Sequence, residues 1–216
     1  MGVFRFFCLL VFALAACRTS TEKLIKKEDT EVGCICSFYF VRHGQTNWGP
    51  DDILKGPQDL TLNDVGLQQA REAGSTLKNV LRNPSNAKII SSSLQRAIET
   101  AKEIEKITGI SLSAQEDGLR ERYYGDHRLI TDDSKIPPDA ETTQGFQERV
   151  LQSLFKILLK HNEARPLIIV SHQKVFEYVA EFLVKRSERL SQGGIAHFML
   201  NENGTWELKI LEPKKN

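Results

Sequence analysis

Neither sign of charge is in excess in this chain: 29 Lys and Arg against 28 Asp and Glu leave +1 across 216 residues. With no global field to draw it to polyanions, net charge excludes nucleic acid and anionic membrane faces as partners and leaves room only for a local basic pocket. Cysteine is scarce as well. Four in a chain of this length are too few for a disulfide scaffold, and no pair stands at zinc-finger spacing with histidines. The interior is therefore held by packing. There is no internal repeat, and 40% hydrophobic with 26% charged residues excludes disorder and collagen-like repetition. The length suffices for one domain with a substantial core, or two small ones.

Apolar runs are short. Residues 6–16 are uninterrupted for eleven positions, a helical rise of about 16 Å and roughly half the hydrocarbon thickness of a bilayer. Preceded by the single positive charge of Arg5 and closed by Ala15-Ala16, the run has the layout of a signal peptide. Leu14-Ala15-Ala16-Cys17 resembles the bacterial lipobox, whose cysteine thiol receives a diacylglyceryl group and becomes the new N-terminus after cleavage. The resemblance implies a signal peptide over residues 1–16, lipidation at Cys17 and a lipid anchor in the cell envelope. Arg18, rather than aspartate, after the cysteine implies the periplasm-facing outer membrane. A plain export signal with an incidental Cys17, or an uncleaved apolar helix, are the alternatives. Cleavage before Cys17 leaves 200 residues with a side-chain charge of 0. Residues 17–34 then read as a polar tether, with Lys23, Lys26 and Lys27 set against Glu22, Glu28, Asp29 and Glu31. Cys34 and Cys36 share a strand face at a spacing that strains a disulfide, so buried or separately reactive thiols stand beside a pair.

Residues 35–216 read as one α/β domain. Strands are expected over 35–41, 88–91, 110–113 and 167–170. Helices are expected over 61–81, capped by Thr61 with Leu62, Val65, Ala70, Ala73 and Leu77 apolar, and over 94–107, capped by Ser93 and ended by Gly109. Two more are expected over 142–159 and 175–184. Residues 195–200 and 206–211 form a hairpin around Asn203-Gly204. Alternating strands and helices imply a largely parallel central sheet covered on both faces. Residues 117–141, with two glycines, Pro137-Pro138 and clustered charge, read as a long loop of the kind that is usually functional inside a compact domain.

Chemistry gathers at the strand ends. Arg42-His43-Gly44 follows the first strand, where open α/β sheets place ligands. Arg96 stands in the first turn of a helix that follows the second strand, where the dipole and the guanidinium both favour an anion. Ser171-His172 follows the strand at 167–170. Two histidines and two arginines at three strand ends suggest a phosphate pocket. A metal site competes for the histidines, although no helical histidine pair or flanking carboxylate cluster accompanies them.

These residues resemble the histidine phosphatase superfamily, whose best-known branch is the cofactor-dependent phosphoglycerate mutases. The hallmark is Arg42-His43-Gly44-Gln45-Thr46. In order come Gly56, Leu62 with Gly66 and Gln69-Ala70, the 92–101 segment with Arg96 and Thr100, and residues 119–125 with Arg120-Glu121-Arg122-Tyr123-Tyr124-Gly125. Glu141-Thr142, Phe146, Arg149 and Val170-Ser171-His172 complete the set. The resemblance implies a three-layer α/β/α, phosphoglycerate mutase-like fold and catalysis with neither metal nor other cofactor. It makes His43 the nucleophile that forms a phosphohistidine, Arg42, Arg96 and His172 the phosphate clamp, and Glu121 the general acid and base. Fixed cations suit this chemistry because a phosphoryl group in transfer spreads negative charge over its equatorial oxygens. Gln45, Thr46 and Gly56 are implied to line the substrate pocket. Arg122 and Tyr124 stand between substrate rim and loop packing, and Glu116, Asp117 and Glu141 are alternative carboxylates to Glu121.

Two departures narrow the reaction. Asn47-Trp48-Gly49 carries glycine where the mutase pattern has asparagine, and the stretch from Gly125 to Thr142 is much shorter than the insertion with which the mutases enclose phosphoglycerate. An open pocket favours water as acceptor, so a phosphatase acting on a phosphorylated small molecule is expected ahead of a mutase-type phosphotransferase. A phosphate-binding lipoprotein without turnover is the opposing class. Trp48 reads as pocket wall, since no basic-aromatic stripe suggests stacking on a base. His127, His161 and His197 are assigned to loop, helix end and strand.

Overall fold

The computed structural model describes residues 37–47, 59–81, 87–125, 138–161 and 166–211. The expected signal and tether segments, Cys17, Cys34, Cys36, Trp48, Gly49, Gly56 and His127 lie outside the described residues. In chain order the elements are β1 (Phe38–Arg42), α1 (Asp64–Val80), β2 (Lys88–Ser92), α2 (Gln95–Thr108), β3 (Leu112–Glu116), a short 3-10 turn (Asp117–Leu119), α3 (Thr143–Leu159), β4 (Leu167–Ser171), α4 (Gln173–Val184), β5 (Ile195–Leu200) and β6 (Trp206–Leu211). They build one six-stranded sheet in the order β3-β2-β4-β1-β5-β6. Its first four strands are parallel, and β5 and β6 close one edge antiparallel, the latter pair forming the expected hairpin with Gly204 at φ 81°.

The strand sequences explain the layers. Side chains alternate faces along a strand, so Phe38 and Phe40 enter one core while Val41 enters the other. The first core joins Phe38, Phe40, Leu167, Ile169, Ala196 and Phe198 to α3 and α4. The second joins Val41, Ile89, Ile168, Val170 and Ile195 to α1 and α2. β4 is buried at all five positions, as its continuous apolar run requires of a central parallel strand. The three-layer α/β/α expectation holds.

Several local expectations are corrected. The cap of α1 is Asn63, whose Oδ1 accepts the Gly66 N–H at 2.8 Å; Thr61 lies before an isolated bridge between Thr46 and Leu62. Ser93 does not cap α2. The cap position is Leu94, and the Ser93 hydroxyl donates to Asp117 instead. The third strand begins at Leu112, two residues later than expected, because Ile110 turns into the core ahead of it. Val65 is 52% exposed. The buried face of α1 is Gly66, Ala70, Ala73, Gly74 and Leu77, a stripe of mostly small residues on which Val65 does not lie. Small residues are used here because α2 packs close: a Cβ on Gly74 would stand 3.0 Å from the Ile107 Cβ.

Two glycines fix how the β1 loop meets α1. A Cβ on Gly44 would lie 2.4 Å from the Gly66 carbonyl oxygen, and one on Gly66 would lie 2.0 Å from that of Gln45. Both neighbours are backbone and cannot swing aside. Gly66→Ala is therefore expected to cost about 2 kcal/mol or more, lowering Tm by roughly 4–8 °C for a domain of this size. Val65→Ala on the exposed side should leave Tm nearly unchanged. Thermal unfolding of both variants checks this, and a Gly66→Ala protein with the parental Tm would show that the two backbones can separate freely.

Candidate active site

Parallel strands β1 and β4 are adjacent, but the chain leaves β1 for a helix on one face and leaves β4 for a helix on the other. Such a divergence opens a crevice at the carboxyl ends of the two strands. The register places Arg42 opposite Ser171, and the His43 N–H donates to the Ser171 carbonyl at 2.9 Å. His43 and His172, each one residue beyond its strand, thus face one another with ring centroids 5.1 Å apart.

Each ring is held by a specific partner. His43 Nδ1 is 2.8 Å from the Gly44 carbonyl oxygen. A carbonyl only accepts, so Nδ1 carries the hydrogen and the lone pair is on Nε2. Arg96 Nε stands 3.3 Å from that Nε2. Gly44 is fixed in turn by its N–H donating to Thr100 Oγ1 at 3.1 Å, while Thr100 donates to the Arg96 carbonyl at 2.7 Å. Arg42 Nη1 donates to the Leu190 carbonyl at 2.7 Å, and its Nε is buried without a hydrogen-bond partner among the described residues. His172 is fully buried, with Nε2 2.8 Å from Ser92 Oγ and Nδ1 unpartnered among the described residues. The Leu94 N–H donates to the same Ser92 oxygen. That oxygen keeps a second lone pair; in the arrangement where the Ser92 hydroxyl donates to His172 Nε2, the imidazole hydrogen is on Nδ1, a donor without a partner among the described residues. An unpaired buried donor costs about 1–3 kcal/mol, a cost that an anion with several acceptor oxygens would relieve.

Burial sets the electrostatics. It pushes both imidazoles well below their usual range, with Arg96 the largest further cause, so both rings are neutral. It also lowers the Arg42 and Arg96 guanidinium values, though arginine stays charged in proteins. Glu121 moves the other way. Burial raises it, against the opposing pull of the Arg122 and Lys174 backbone N–H groups and of Arg96 and Arg42. Its Oε1 accepts from Arg122 N at 3.1 Å, and both oxygens accept from Lys174 N, at 3.2 and 3.3 Å, in the first turn of α4. The other candidate carboxylates are engaged elsewhere: Glu116 with Ser153 and Lys156, Asp117 with Ser93, and Glu141 with Arg149. A neutral imidazole whose Nε2 lone pair faces Arg96, two cations, a neutral donor and a carboxyl of raised pKa thus share one crevice.

The rim residues divide. Gln45 is drawn into the loop junction, its N–H donating to Gln69 Oε1 at 2.8 Å and its own Oε1 accepting from Asn63 Nδ2 at 3.0 Å. Thr46 is buried, and its carbonyl accepts from the same Asn63 amide. Arg122 donates to Thr143 Oγ1 at 3.0 Å and lies over the Tyr124 ring at 5.2 Å. His161 follows α3, and His197 stacks on Tyr39 at 4.2 Å in β5, both in the assigned places. Sequence reasoning assigned no role to Ser92, Thr100 or Asn63. Thr100 had carried part of the family resemblance without a role, and the signal of Ser92 and Asn63 was position alone, at a strand end and a helix start. Among the described residues no group of three or more His, Cys, Asp or Glu could hold a metal ion.

Removing the Ser92 hydroxyl frees His172 to take the other tautomer, with a lone pair in place of the Nδ1 donor. Ser92→Ala is therefore expected to weaken inorganic phosphate binding about tenfold, for a lost contribution of about 1–1.5 kcal/mol. Calorimetric titration measures it; an unchanged Kd would mean that Ser92 does not orient the ring.

Comparison with known proteins places the chain in a family. The family model described as histidine phosphatase superfamily (branch 1) matches residues 38–191. Phosphoglycerate mutase-like protein 4 of Arabidopsis thaliana is 27% identical over 192 residues, covering 79% of this chain and 82% of its own. The Bacillus subtilis (strain 168) protein named uncharacterized phosphatase PhoE is 32% identical over 142 residues, covering 61% and 69%. Among solved structures, Bacillus stearothermophilus YhfR superposes with a TM-score of 0.68 at 24% identity, covering 81% of this chain and 95% of its own.

Proposed function

The chain belongs to the histidine phosphatase superfamily, and on that premise we propose that it is a phosphomonoesterase that works through a phosphohistidine on His43. The observation that carries the reading is the tautomer of His43: Nδ1–H tied to the Gly44 carbonyl leaves Nε2 as a lone pair beside Arg96. Nε2 attacks phosphorus while the ester P–O bond breaks. Arg42, Arg96 and the Nδ1–H of His172 take the charge that spreads over the phosphoryl oxygens. The Gly44 carbonyl supports the positive charge that the imidazole acquires. Glu121, protonated at the start, gives its proton to the departing oxygen. Water then attacks the phosphohistidine, Glu121 takes back a proton, and the P–N bond breaks to release phosphate and neutral His43.

Water is preferred as acceptor because the stretch from Gly125 to Thr142 is short and the mutase asparagine is replaced by Gly49. The identity to a relative named as a phosphatase supports the same choice. Phosphoglycerate mutase-type transfer is the competing reading, supported by the relative named as mutase-like. We propose further, from residues 1–17 alone, that the enzyme is exported and held at the cell envelope by lipid on Cys17, acting there on phosphorylated small molecules.

His43→Ala is expected to abolish p-nitrophenyl phosphate hydrolysis, and excess chelator to leave the parental rate unchanged. Turnover that survives the substitution would remove His43 as the nucleophile. Glucose or glycerol phosphate incubated with labelled water should release labelled inorganic phosphate; transfer of label-free phosphate to a second sugar acid would favour the mutase.

The pH profile follows from the two shifts. His43 is held below its ordinary 6.5, so it stays neutral into acid and the acid limb of kcat/KM lies below that value. Glu121 is held above its ordinary 4.5, so kcat/KM falls as pH rises through its elevated value and the acid is lost. Glu121→Gln should flatten the alkaline limb and leave the acid limb in place. An alkaline limb that persists in this variant would assign it to another group. Intact mass of the membrane-extracted protein tests the anchor, which an unacylated mature N-terminus would exclude.

A further inference from the structure

We propose that Arg149 and Glu141 are positioning residues for the reaction, holding the backbone of residues 118–123 so that the Glu121 carboxyl stands at the N-terminus of α4. The inference rests on the role given to Glu121 above. Glu121 lies on an irregular segment after the 3-10 turn, where no strand or helix ladder of its own fixes it. Something else must hold the carboxyl in place, because proton transfer depends on placement to within hydrogen-bond reach.

The anchor is one guanidinium. Arg149 Nη1 donates to the Gly118 carbonyl at 3.0 Å and to that of Arg120 at 2.7 Å, and Nη2 donates to the Glu121 carbonyl at 3.1 Å. The remaining N–H groups go to Glu141, Nε to Oε1 and Nη2 to Oε2 at 2.7 Å. All five donors of the side chain are used. Glu141 also grips the segment directly: Oε2 accepts from Tyr123 N at 3.3 Å, and its own N–H donates to the Tyr123 carbonyl at 2.9 Å. Phe146 supports the guanidinium plane, 5.0 Å from Arg149 Cζ. On the far side of the turn Ser171 Oγ donates to the Leu119 carbonyl at 2.7 Å, tying the same segment to the end of β4.

Geometry makes arginine specific here. Its planar fork reaches three carbonyls and both carboxylate oxygens at once, whereas lysine offers three donors from a single point. Gly118 lets α3 come this close, since a Cβ there would lie 2.9 Å from the Arg149 carbonyl and 1.8 Å from Ser153 Oγ. Neither Arg149 nor Glu141 touches the reacting atoms. They act through Glu121: with the clamp loosened, the carboxyl drifts from the Lys174 and Arg122 N–H groups and from the departing oxygen.

A loosened acid matters most where the leaving group is poor. Arg149→Lys is expected to lower kcat/KM for glycerol 2-phosphate at least thirtyfold while changing that for p-nitrophenyl phosphate less than about threefold. The double variant Arg149→Lys/Glu121→Gln should be no slower than Glu121→Gln alone. Far-UV dichroism and Tm show whether the lysine variant folds; if it does not, Glu141→Gln, which keeps one acceptor oxygen for Arg149, is measured in its place with the same split expected. Equal losses on the aryl and alkyl substrates, or losses that multiply with those of Glu121→Gln, would overturn the positioning role alone. A Glu121→Gln enzyme with no dependence on leaving group would overturn the role of Glu121 and the clamp with it.

Discussion

The parallel pairing of β1 with β4 sets the distance between two histidines that lie 129 positions apart in the chain, and every other feature of the site is arranged around that distance. With Arg42 opposite Ser171, each imidazole leaves its strand at the same level and on the same side. The chain then departs to opposite faces of the sheet, which opens a crevice at the two strand ends. A register slip of one residue would turn the slipped strand's side chains to the opposite face and carry its histidine away from the other, and β4, buried at all five positions, resists it.

A site built this way has an electrostatic problem. Two half-buried arginines stand against two buried histidines, and burying charge without a partner is expensive. The solution is to keep the histidines neutral and to let only the arginines carry charge, with Glu121 close enough to oppose them. Neutrality is also what the chemistry asks for, since only an unprotonated Nε2 can attack phosphorus. The same burial that lowers the imidazoles raises Glu121, so one physical cause prepares both the nucleophile and the acid. Arg42 Nε and His172 Nδ1, unpaired among the described residues, are left over from this compromise.

Irregular backbone does the remaining positioning, and side chains replace the missing ladders. Asn63 binds both Gln45 and the Gly66 N–H, joining the β1 loop to the start of α1. Arg149 performs the corresponding service for the Glu121 segment from α3. Neither role was legible in sequence, because a polar residue at a helix start or on a helix face looks the same whether it meets solvent or a loop distant in the chain. The α1 stripe was misread for a related reason: hydrophobicity draws attention to Val65, whereas close helix packing selected Gly66, Ala70, Ala73 and Gly74.

Local rules were enough for what is local. Apolar alternation, Gly109 after α2 and Asn203-Gly204 in the hairpin specify their elements by interactions within a few residues; Arg42-His43, Arg96 and Ser171-His172 stood out as candidates at strand and helix ends, and Glu121 through the family resemblance alone. The sheet order, the face each helix covers and the side chains that surround the two imidazoles join residues tens of positions apart. Ser92 reaches His172 across 80 positions and Arg96 reaches His43 across 53. Those distances close only when the hydrophobic layers pack: the His43 tautomer is set by the adjacent Gly44 carbonyl, but the tertiary structure alone decided what faces its Nε2.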